Sequence, residues 1–160
     1  MPKNIYMVGI GGIGMSALAQ YLVHTGHRIS GSDREDSPVT EMLAEKGIEV
    51  FVGHDQCSIP ADAELLIYSD AVPSTNVERE RAREMGIPEM SYFEGLGVVS
   101  KKARTIAVAG TNGKTTTTGM LAKILQVAEK NPTVIVGSIV RDFPGPKGGS
   151  NFLPGREDLF

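Results

Sequence analysis

Two glycine clusters hold the residues whose types and spacing could do chemistry. In "YMVGIGGIGMS", Gly9, Gly11 and Gly14 stand in G-x-G-x-x-G spacing between an apolar run and a helical pattern. Glycines there allow a tight turn and let a diphosphate approach the backbone. The helix that follows offers free N–H groups and a partial positive charge. The spacing alone is weak and needs strand and helix flanks to carry weight. Asp33, in "SGSDRED", comes about twenty residues later, where a carboxylate can accept from ribose hydroxyls. A surface turn fits Asp33 equally well.

The second cluster is "AVAGTNGKTTTTGM", Ala107 to Met120. Gly110, Gly113, Lys114 and Thr115 suit a phosphate loop: backbone N–H groups cradle phosphate, Lys114 brings a charge to the β/γ-phosphates, and the Thr115 hydroxyl ligates Mg²⁺. The strict G-x-x-x-x-G-K-[S/T] pattern requires glycine at 108, where the chain has Val108, so the loop is a shortened variant. Thr115 to Thr118 are poor helix formers at a predicted helix start, which points to a role other than propensity.

Other candidates are bland. The single cysteine, Cys57, excludes a disulfide framework and multi-cysteine metal sites, and a passive thiol is expected. "ERERARE", Glu78 to Glu84, alternates acid and base and predicts a solvated helix face. His24 and His27 are expected to be structural or surface residues.

The elements that must position these residues alternate, as in a parallel α/β sheet. Strands are predicted at Ile5–Val8, Arg28–Ser30, Ile48–Val52, Leu65–Tyr68 and near Pro88–Met90. Helices are predicted from Met15 to Gly26, from Ser37-Pro38 to Gly47, over Val77–Met85 and over Tyr92–Ser100. Lys101 to Arg104 reads as a boundary between a Rossmann-like domain, 1–102, and the start of a P-loop ATPase domain, 103–160. That second part is predicted as a strand at Thr105–Ala109, the loop, a helix to about residue 130 and a strand near Thr133–Val136. The tail, "RDFPGPKGGSNFLPGREDLF", is predicted as loop.

The 160 residues carry a net charge of −3, without the basic footprint that nucleic-acid binding needs. No signal-peptide h-region or apolar run of about 20 residues occurs, so the chain reads as soluble and cytoplasmic, with no membrane partner. The first loop alone fits an NAD-dependent oxidoreductase or a non-enzymatic nucleotide-sensing module. Both leave the Lys114 loop without a purpose.

"GIGGIGMS", "SGSD", "NVERERAREMGIP" and "AVAGTNGKTTTTGM", in this order, resemble the bacterial Mur ligases over essentially the whole chain. "GTNGKT" also occurs in folylpolyglutamate synthases, which lack the first loop. The resemblance implies a three-domain, ATP-dependent enzyme of which these residues are the first third, inactive alone. It implies ATP and Mg²⁺ as cofactors, and UDP-N-acetylmuramate and L-alanine as substrates joined through an acyl phosphate. Carried over by position, Gly11, Gly12, Ile13 and Gly14 meet the UDP diphosphate. Ser32, Asp33, Ser69, Asp70 and Ala71 line the uridine side. Gly110, Thr111, Asn112, Gly113, Lys114, Thr115 and Thr116 hold the ATP phosphates, with Lys114 catalytic on the γ-phosphate and Thr115 on the metal. His54, in "VFVGHD", resembles a family position of undefined role, and a structural or surface histidine fits it at least as well. Asn112, Asp70 and Val77 depart from the residues most common in the family member most resembled, and Pro144 to Ser150 looks like a lineage-specific loop. Glu157 and Asp158 lie near the place of an acidic metal motif but precede its strand, and take no role.

Overall fold

The protein's structure, a computed structural model, describes residues 1–55, 58–145, 148–156 and 158–160. The expectations for Cys57, Glu157 and the middle of the Pro144–Ser150 loop lie outside the described residues.

Short apolar runs separated by helical periods build a five-stranded parallel sheet in the order β3-β2-β1-β4-β5. β1 (Asn4–Val8) is central, between β2 (Arg28–Asp33) and β4 (Leu65–Tyr68), with β3 (Glu49–Val52) and β5 (Glu89–Ser91) at the edges. Covered on both faces, β1 is apolar at every position from Ile5 to Val8, as buried parallel strands are. Ile5 and Met7 join the core under α1 (Ile13–His24), α2 (Pro38–Glu45) and α4 (Tyr92–Ser100). Tyr6 and Val8 join the opposite core, with Ala82 of α3 (Val77–Glu84).

Local chemistry starts three of these helices. Ser37 caps α2 with Pro38 in its first turn, Asn76 caps α3 through the N–H groups of Glu78 and Arg79, and Ser91 forms a capping box with Glu94 at α4. The Ser91 N–H, donating to Glu94 Oε2 at 2.7 Å, and then the Ser91 hydroxyl hold the Glu94 carboxyl below its usual range.

After α4 the chain forms α5 (Lys114–Val127) and an antiparallel pair, β6 (Val134–Val140) and β7 (Ser150–Leu153). Three expectations are corrected here. Residues 105–109 form no strand: Arg104 bridges Leu159 and the Ile106 N–H reaches the Phe160 carbonyl, but no ladder continues among the described residues. The tail is not all loop, because β7 lies inside it. Glycine and proline confine themselves to the flanks of β7, while all four of its residues are buried. The solvated face expected of "ERERARE" is only partial, since Glu78, Arg79 and Ala82 share a buried stripe.

β7 seats this second part on the first. Phe152 is buried in the α1 core and meets Tyr21 edge-on at 6.4 Å, while Leu153 turns to Ala122 and Val136. Burying a phenylalanine contributes roughly 2–3 kcal/mol in transfer free energy, and Ile135 of β6 and Phe160 pack on the same core beside it.

Candidate functional site

The first glycine loop leaves β1 at the carboxyl end of the sheet, where parallel α/β folds bind ligands. The Gly9 and Ile10 N–H groups donate to the Ser32 carbonyl, and Gly12 donates to the Gly9 carbonyl. Gly11 donates to Asp33 Oδ2 at 2.8 Å. Asp33 thus uses one carboxylate oxygen to fix the loop, a role the sequence did not indicate. Helix geometry leaves the Ile13, Gly14 and Met15 N–H groups, at the first turn of α1, without intrahelical partners. Gly14 leaves room for Tyr92: a Cβ there would lie 2.7 Å from the Tyr92 ring and hydroxyl, so the side chain would have to shift. Burial raises the Tyr92 phenol above its usual pKa, so it stays protonated at neutral pH.

Of the residues expected on the uridine side, Ser69 packs beside Gly9 while Asp70 and Ala71 are exposed just after β4. Ser32 is fully buried and donates its hydroxyl to Glu78 Oε2 at 2.7 Å. Glu78 is the residue that sequence reasoning missed. Its carboxylate is fully buried, accepts from the Tyr6 hydroxyl at 2.7 Å, and lies 2.7 Å from His54 Nδ1. His54 is thereby tied to the end of β2, and is neither a free surface residue nor a packed apolar one. Burial and the neighbouring carboxylate both push the Tyr6 phenol far up, which keeps it a donor. Arg79, also buried, pairs with Glu89 at 2.9 Å and lies over the Tyr68 ring. The helical stripe 78, 79, 82 was the available signal, masked by the alternation of charge.

The second glycine loop stands at the start of α5. Gly113 adopts φ 76°, a left-handed conformation that favours glycine, and it is the residue that precedes the helix. Gly110, Thr111, Asn112, Gly113, Lys114 and Thr116 are exposed, and Thr115 is half-buried. Lys114 Nζ donates to the Gly110 and Thr111 carbonyls, which folds the ammonium back over the loop. Lys114 and Thr115 line a cavity of about 550 Å³ between α4, α5 and β6, whose wall also includes Tyr92 and Phe160. Tyr92 therefore touches both regions, with its ring against Gly14 and at the edge of this cavity.

One contrast separates the two loops from the rest of the fold. α2, α3 and α4 have side-chain caps and an acidic residue in the first turn. Among the described residues α1 and α5 have neither. The first-turn N–H groups of both are left without side-chain caps, which suits an anionic ligand at each. No group of three or more metal-ligating side chains occurs among the described residues. No helix among them is long and apolar enough to cross a membrane.

The chain is similar to several known proteins. The chain is 44% identical over 156 residues to a UDP-N-acetylmuramate–L-alanine ligase of Rubrobacter xylanophilus, covering 98% of this chain and 34% of that protein. It is 46% identical over 158 residues to one of Solibacter usitatus, covering 99% of this chain and 32% of that protein. It thus spans about a third of the length of the curated relatives it matches. Among solved structures, UDP-N-acetylmuramate-alanine ligase from Thermotoga maritima matches with a TM-score of 0.86 at 37% identity, over 95% of this chain and 35% of that one. A UDP-N-acetylmuramate:L-alanyl-gamma-D-glutamyl-meso-diaminopimelate ligase from Neisseria meningitides matches with a TM-score of 0.85 at 29% identity, over 99% of this chain and 49% of that one. Residues 4–104 match the description "Mur ligase family, catalytic domain", which covers more than half of the chain and includes the first glycine loop, Asp33, His54 and Glu78. The chain belongs to the Mur ligase family.

Proposed function

We propose that this chain carries the UDP-substrate unit, residues 1–102, and the opening of the ATP unit, residues 103–160, of a ligase that joins L-alanine to UDP-N-acetylmuramate. The observation that carries the reading is the pair of uncapped, acid-free helix starts, each behind a glycine loop. In this reading the Ile13, Gly14 and Met15 N–H groups bind the UDP diphosphate, with Gly11 and Gly12 allowing its approach. Asp33 keeps the loop in shape through Gly11 and has Oδ1 left for the ribose. Ser69, Asp70 and Ala71 border the uridine side, and Ser32 acts from beneath it through Glu78 and His54.

At the second loop, residues 110–116 bind the ATP phosphates. Lys114 exchanges the loop carbonyls for the γ-phosphate and offsets charge that builds up during phosphoryl transfer. Bound ATP supplies the phosphoryl group that activates the substrate carboxylate as an acyl phosphate, and Mg²⁺ supplies counter-charge. The donor set fits a metal shared with phosphates, because the loop offers hydroxyls such as that of Thr115 and no cluster of carboxylates among the described residues. Because the chain spans about a third of the length of its curated relatives, the isolated chain is expected to bind both nucleotides without ligating. Membership of the Mur ligase family suits a cytoplasmic enzyme.

Calorimetry on the 160-residue chain with UDP-N-acetylmuramate, ATP-Mg²⁺ and NAD tests this. Binding of the first two and not the third is expected, and NAD binding without UDP-sugar binding would overturn the reading. Lys114→Ala should weaken ATP affinity by about tenfold or more, as loss of a charge-assisted phosphate contact does, while leaving UDP-sugar affinity unchanged.

A further inference from the structure

Beyond the apolar seat of Phe152, β7 meets α1 through a closed set of buried amides and hydroxyls. Asn151 is fully buried and donates from Nδ2 to the Ile13 carbonyl at 2.6 Å and to Ser16 Oγ at 2.8 Å. Its Oδ1 accepts from Gln20 Nε2 at 2.8 Å. The Ser16 hydroxyl itself donates to the Ile13 carbonyl, so it must accept from Asn151. Gln20 uses its second N–H on the Ser16 carbonyl, and its Oε1 accepts from Lys46 Nζ and Ser150 Oγ. Every donor and acceptor of the two amides is used, which fixes both orientations: a flipped Asn151 would set its oxygen against the Ile13 carbonyl.

Such a network adds little stability over apolar side chains of the same shape. What it adds is position. The two atoms held by Asn151 belong to the first turn of α1, and the carbonyl belongs to Ile13 of the glycine loop itself. We infer that Asn151 is a positioning residue for the first glycine loop, supplied from 138 residues downstream. It sets the pitch of the α1 first turn, and so the aim of the Ile13, Gly14 and Met15 N–H groups at the substrate diphosphate. The UDP-substrate site is therefore complete only with β7 docked. This inference rests on the proposed reading of the first loop as the UDP site.

The test uses the 160-residue chain and UDP-N-acetylmuramate. Asn151→Ala should weaken UDP-sugar affinity about tenfold, the scale of one buried hydrogen bond, with ATP affinity unchanged. Ser150→Ala, beside it in β7 but without contact to the loop, should lower thermal stability without changing either affinity. A parallel measurement needs no substitution: the Asn151 side-chain amide signals in a ¹⁵N correlation spectrum should shift when UDP-N-acetylmuramate is added, together with the Gly11 and Gly12 backbone signals. Equal affinity in Asn151→Ala, or an Asn151 signal that stays fixed while the glycine signals move, would overturn the inference alone. Absence of UDP-sugar binding by the unsubstituted chain would overturn the reading of the loop and the inference with it.

Discussion

Glu78 shows how much one buried carboxylate can organise. Its two oxygens serve Tyr6 from β1, Ser32 from β2 and His54 from the turn after β3, while its own backbone starts α3. Glu78→Gln keeps the volume but turns an amide NH₂ toward partners that donate. It should cost about 2 kcal/mol in urea unfolding, the penalty of an unsatisfied buried donor, and an unchanged midpoint would show that the hub is not energetically coupled. His27 makes the opposite point. Its Nε2 is buried with no partner among the described residues, and burial lowers its pKa. The folded chain then binds a proton less readily than the unfolded one, so stability falls as pH drops below the unfolded value of about 6.5. His27→Gln should flatten the fall in melting temperature between pH 7 and pH 5, and equal slopes would contradict the assignment.

At the scale of elements, the glycine loops work because of what stands behind them. Tyr92, the first residue of α4, closes the space over Gly14. Gly14→Ala should destabilise by about 1–3 kcal/mol through overpacking. Tyr92→Ala in the same chain should recover part of that loss, a non-additivity that thermal denaturation of the four-member cycle reads directly. Additive losses would mean the two residues do not press on each other. The five parallel strands and the helices around them were legible in the sequence, because buried strands are apolar runs and Ser37-Pro38, Asn76 and Gly47 punctuate them. Both glycine loops were legible for the same reason. Glu78 and Arg79 were not, since a charged residue enters a core only when tertiary partners meet it, and those partners lie up to 72 residues away. β7 was hidden by the glycine and proline around it. The strand expected at residues 105–109 failed because apolar sequence cannot make a strand without a neighbouring ladder.

For the whole molecule, the buried contact between β7 and α1 joins the two parts, which should unfold as one cooperative body. Phe152→Ala, which empties the space against Tyr21, should cost about 3–5 kcal/mol. In the unsubstituted chain, denaturant transitions followed by tyrosine fluorescence and by far-ultraviolet circular dichroism should coincide, and two separate transitions would show independent units. The same contact sets an order in time. α1 is complete by residue 24, yet its outer face waits for Asn151 and Phe152. At a synthesis rate of about 5–20 residues per second, Ile13 precedes Asn151 by on the order of ten seconds. During that interval the parallel sheet can assemble behind α1, while the buried side of the helix that will meet β7 faces water. A nascent chain of this protein therefore carries a ready-made chaperone target at its amino end until β7 arrives.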